Sequence, residues 1–129
     1  MTIELTMLAL SIVLGFVYII LPIRAATRDR GRDWNVGPRD EAMPPLGGTA
    51  GRLDRAQRNF QETFPLFAAA VLIAHVAGRD GTLTAVGAHL YFWGRLAYLP
   101  LYAFGVTYVR TAAWAVATTG IGLVLLALL

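Results

Sequence analysis

The 129-residue chain contains no cysteine and no lysine. Without cysteine it can form no disulfide, no thiolate nucleophile and no thiolate-ligated metal site. Any sulfur chemistry must therefore use a thiol that arrives with a substrate. Without lysine, the glycine-rich stretch Gly47-Gly48-Thr49-Ala50-Gly51 cannot act as a phosphate loop. It reads instead as a flexible entry to a helix. Charge of either sign is scarce: 15% of residues are charged and 57% are apolar, with a mean hydropathy of +0.57. That is too apolar for an ordinary soluble domain, and the length allows only one. His75 and His89 have no Asp, Glu or His at ligand spacing, so no metal site is expected. Ser11 has no base in view, which leaves no hydrolase triad.

All eleven positive charges are arginine, and the isoelectric point lies near 9.8. A basic chain invites a nucleic-acid reading. Here, however, the arginines sit between or inside apolar segments rather than along a soluble face, so membrane orientation accounts for them better and nucleic acid is rejected. Leu5 to Ile23 is a run of nineteen residues without charge. At about 1.5 Å per residue it spans the roughly 30 Å hydrocarbon core. The start, Met1-Thr2-Ile3-Glu4, lacks the basic region of a cleaved signal, so this run is expected to be a retained helix.

The pattern predicts an all-α integral membrane protein, a single domain over 1–129 with four spans at about 3–23, 53–77, 82–104 and 109–129. A polar connection of turn and breaker residues covers about 24–52. The second span must extend back through Glu62 and Asn59 toward Arg55 to be long enough to cross. Eight arginines (24, 28, 30, 32, 39, 52, 55 and 58) lie in or beside the first loop. The positive-inside rule therefore places that loop in the cytoplasm and both termini on the opposite side.

Two polar stripes interrupt the apolar pattern. In the second span Arg55, Asn59 and Glu62 are spaced four then three. In the third span Tyr91, Arg95, Tyr98 and Tyr102 are spaced four, three, four. Each set shares one helix face. A charge as deep as Arg95 costs about 2.5–3.5 kcal/mol on insertion scales unless paired, and Glu62 is the expected partner. A register-fixing ion pair is the plainer alternative. Together the stripes suit a small ligand with carboxylates, which arginine forks bind bidentately, and an ammonium, which Glu62 can hold.

Arg55-Ala56-Gln57-Arg58-Asn59-Phe60-Gln61-Glu62-Thr63-Phe64-Pro65 closely resembles the second-helix signature of the MAPEG family, the membrane-associated proteins of eicosanoid and glutathione metabolism. Arg95, Tyr98, Tyr102, Gly105 and Arg110-Thr111 resemble the end of the family's third helix and the turn after it. The Gly37-Pro38-Arg39-Asp40 loop looks like the bacterial branch. The resemblance implies a four-helix subunit, a homotrimer in the inner membrane of a bacterium, and glutathione as co-substrate bound between subunits near the cytoplasmic side, with no metal. It implies that Arg55, Asn59, Glu62, Arg95, Tyr98 and Tyr102 bind glutathione and that Arg110 stabilises its thiolate. The expected activity is a glutathione transferase or peroxidase acting on lipophilic electrophiles from the bilayer. A non-catalytic binding or regulatory protein and a small transporter component are the rival readings.

Overall fold

The computed structural model describes Met1–Leu129, and the chain is all helical: α1 (Ile3–Arg30), α2 (Arg32–Val36), α3 (Gly48–Val76), α4 (Thr82–Ala103) and α5 (Thr107–Leu126). Thr2 caps α1, its hydroxyl accepting from the Leu5 N–H at 3.2 Å. The helix does not end near residue 23, the expected limit of the first span. Pro22 lies inside it, and α1 runs on to Gly31, whose φ of 93° stops it. A proline forfeits only one helical bond, and Ala25 to Arg30 holds no further breaker. With 28 residues α1 is about 42 Å long, more than the roughly 30 Å of a hydrocarbon core.

The stretch 24–52 is accordingly more structured than a loop. The short α2 places Trp34 between the guanidinium groups of Arg30 and Arg39, whose central carbons lie 4.9 and 4.5 Å from the ring centroid. Arg30 also donates to the Pro44 carbonyl at 2.8 Å. Gly48 to Gly51, read from sequence as a flexible entry, forms the first turn of α3. Gly51 packs so closely there that a Cβ would meet the Leu46 carbonyl oxygen at 2.5 Å.

The α3–α4 turn closes through Gly78 at φ 68°: the Gly78 N–H donates to the His75 carbonyl and the Arg79 N–H to the Ala74 carbonyl. This is a helix stop that favours glycine. At this end His75 pairs with Asp80 at 2.7 Å, a partner that spacing along the sequence did not suggest. Nearby, Glu4 is buried and accepts a 2.5 Å hydrogen bond from Thr84.

The helices α4 and α5 touch backbone to backbone. A Cβ on Gly87 would meet the Gly120 carbonyl oxygen at 2.5 Å, and one on Gly94 would meet the Ala117 nitrogen at 2.9 Å. Small residues at such a seam let membrane helices gain packing that lipid alone does not supply. The helices α1 and α3 close the bundle, with Phe67 stacked on Tyr91 (4.0 Å) and Phe60 on Tyr18 (4.5 Å). By length and composition α1 and α5 can each cross a membrane. The helices α3 and α4 are 29 and 22 residues long and carry the polar stripes.

Candidate functional site

The α4–α5 turn, closed by Gly105 at φ 73°, brings the start of α5 back beside the end of α4. That return places Arg110 against Tyr102, its guanidinium carbon 4.4 Å from the ring centroid. From α3, Arg55 donates through Nε to the Tyr102 hydroxyl at 3.2 Å. Its guanidinium carbon lies 5.9 Å from the same ring. One turn earlier on α3, Arg52 donates to the Ala103 carbonyl at 2.8 Å and fastens the start of α3 to the end of α4. Two arginines from different helices thus converge on one phenol, with the rest of their donors unengaged.

Deeper in the bundle, Tyr98 follows Tyr102 with its ring 5.5 Å away. Arg95 lies behind it, fully buried, and donates through Nη1 to Asn59 Oδ1 at 2.7 Å. The expected Arg95–Glu62 ion pair does not form. Glu62 is exposed on α3 and has no hydrogen-bond or ion-pair partner within the chain. Asn59, three residues from Glu62, takes the place nearest Arg95. The arginine's charge is offset instead by aromatic faces, those of Tyr98 (4.3 Å), Tyr18 (5.4 Å) and Phe60 (5.5 Å).

The tyrosine stripe of α4 also divides. Tyr91 belongs to the core, wholly buried and hydrogen-bonded to Thr63 at 3.1 Å, whereas Tyr98 and Tyr102 line the arginine cluster. Tyr18 on α1 escaped the sequence reading. Its hydroxyl donates to the Arg95 carbonyl at 2.6 Å, and its sole sequence signal is a phenol within an aliphatic run.

The arrangement is a cationic end, Arg55–Tyr102–Arg110, from which α3 leads to Asn59 and then to an unpaired carboxylate at Glu62. Arg55 and Glu62 lie seven positions apart on the helix, about 10 Å. Such a face suits an elongated ligand with an anionic group at one end and an ammonium at the other. A sequence model of the MAPEG family matches residues 7–129, nearly the whole chain. None of the curated proteins matches it.

Proposed function

This chain belongs to the MAPEG family, and on that premise we propose that it is a membrane-embedded, glutathione-dependent transferase or peroxidase acting on lipophilic electrophiles. The observation that carries the reading is the convergence of Arg55 and Arg110 on Tyr102, in line with Asn59 and the unpaired Glu62. Glutathione supplies two carboxylates, an ammonium and the thiol that a chain without cysteine lacks.

In this reading the free guanidinium donors of Arg55 take a carboxylate and Glu62 takes the ammonium. Asn59, Tyr98 and Tyr102 offer hydrogen bonds between them, with Arg95 as the buried base of the site. Arg110 sets a positive charge beside the sulfur, which lowers the thiol pKa and keeps the nucleophilic thiolate populated. Conjugation then forms a carbon–sulfur bond, and the electron pair of the broken bond leaves with the displaced group.

The same proposal takes all four long helices as spans, with the arginine-rich first loop cytoplasmic and both termini opposite, in a bacterial inner membrane. It takes the working unit to be a homotrimer, because Arg55 and Glu62 are exposed on a helix that would otherwise meet lipid, where bare charges are costly. The test uses the detergent-solubilised protein with glutathione and an activated aryl halide. Conjugate formation, together with a protein mass of three copies after correction for bound detergent, supports the proposal. Protein that binds glutathione without forming thiolate or conjugate would instead favour a binding or regulatory role.

A further inference from the structure

Arg95 is 0% exposed. Rings from three helices close around its guanidinium: Tyr98 from α4, Tyr18 from α1 and Phe60 from α3. Tyr18 also braces the Arg95 backbone through its 2.6 Å hydrogen bond to the carbonyl oxygen. Nε and Nη2 have no hydrogen-bond partner, and Nη1 is committed to Asn59. A ligand on the surface of the site has no access to any of these atoms.

The chemistry of the Arg95–Asn59 bond has a directional consequence. Guanidinium only donates, so Asn59 must turn its carbonyl oxygen inward. The amide nitrogen Nδ2 then faces the other way. It has no partner within the chain and is not among the buried unpaired atoms, so it remains an open donor at the surface.

We infer that Arg95 is a positioning residue: it does not touch the ligand, but it fixes the Asn59 amide so that its N–H donors face the binding surface and select a carboxylate or carbonyl oxygen there. This inference rests on the glutathione reading and refines it, assigning Arg95 to support rather than to contact. Without Arg95 the amide is free to turn over and present its oxygen to the ligand's oxygen, a repulsive match.

The test measures glutathione dissociation constants by calorimetry on the full-length protein in detergent, with a thermal melt of each variant to establish folding. Arg95→Met is expected to weaken binding about tenfold, the worth of one oriented hydrogen bond. Arg95→Lys, which still donates to Asn59, should recover wild-type affinity to within about threefold. If Arg95 acts only through Asn59, the double variant Arg95→Met/Asn59→Ala binds no more weakly than Asn59→Ala alone, a non-additivity that general loosening of the fold would not produce. Asn59→Asp keeps an oxygen for Arg95 but replaces the outward donor with a carboxylate oxygen. It should melt like wild type yet bind at least as weakly as Asn59→Ala.

Additive losses in the double variant overturn the positioning role while leaving the glutathione reading standing. Asn59→Asp that binds like wild type overturns it as well. Should Arg95→Met fail to fold, Arg95→Lys that binds as weakly as Asn59→Ala overturns the role, and recovery of affinity in Arg95→Lys supports it. Wild-type protein that binds no glutathione overturns both readings together.

Discussion

Arg110, the first charged residue of α5, lies over the ring of Tyr102 of α4, its guanidinium carbon 4.4 Å from the ring centroid. No hydrogen bond or ion pair holds Arg110 elsewhere, so its charge is free to act on a ligand while the aromatic face fixes its place.

Arg110→Ala should therefore leave the fold intact and alter the thiol. If Arg110 lowers the pKa of bound glutathione, its thiolate forms at neutral pH; removal of the charge moves that ionisation back toward about 8.5. The ultraviolet signature of thiolate at pH 7 should vanish, and turnover should fall by about 10²-fold, in the range for loss of one charge-stabilising group. Turnover should then rise with pH as the thiol ionises unaided. A pH–rate profile beside the absorbance titration checks both, and an unchanged profile removes Arg110 from the chemistry.

Tyr102→Phe separates the two arginines that share the ring. The face under Arg110 survives, but the hydroxyl that accepts from Arg55 is lost. Glutathione affinity should drop by about two- to tenfold, matching the usual 0.5–1.5 kcal/mol of a hydrogen bond, with turnover at saturation little changed. Tyr102→Leu removes the ring as well and should lower saturated turnover too. Steady-state kinetics on both variants reads the difference as KM against kcat.

Glu62→Gln should weaken glutathione binding without lowering thermal stability. The side chain is exposed and forms no bond within the fold, and Arg95 bonds Asn59 rather than Glu62, so the charge can be removed without breaking a contact of Arg95. A melting temperature within about 2 °C of wild type, with a clear rise in the dissociation constant, is the expected pair of results. A sharp loss of stability would mean that Glu62 supports the assembly rather than the ligand.

Gly120→Val tests the α4–α5 seam. The new side chain would enter the contact with Gly87 and Tyr91, where backbones already touch. Overpacking of this kind costs about 1–3 kcal/mol, and more if the helices must part. The protein should melt several degrees lower in detergent, whereas Gly122→Val, which faces open space, should not.

The all-helical architecture and the family were legible because both rest on local pattern: uncharged runs of spanning length, arginines clustered in one connection, and the Arg55-Ala56…Asn59…Glu62 spacing on one helix. What spacing could not supply was the partner of each polar group. Arg95 and Glu62 have complementary charges, yet the approach of α3 to α4 presents Asn59 and the ring of Phe60 instead, and α1 adds the ring of Tyr18. Tyr18 sits in an aliphatic run on a helix that carries no polar stripe, so its contact with Arg95, 77 residues away, emerges only from packing. The extension of α1 past Pro22 was hidden for a different reason, since a proline and a charge look like a terminus unless the following turns are weighed for helix formation.

The glycine seam between α4 and α5 also governs how the site can move. Helices in backbone contact at Gly87, Gly94 and Gly120 have no side-chain cushion across which to slide, so the pair behaves as one rigid lever. That lever carries Arg95, Tyr98, Tyr102 and Arg110 together. Relative movement must then fall between this pair and α3, which four side-chain bonds tie to α4: Arg52 to Ala103, Arg55 to Tyr102, Asn59 to Arg95 and Thr63 to Tyr91. Those four bonds are strung along α3 from Arg52 to Thr63, so the helix can part from the lever only by giving them up.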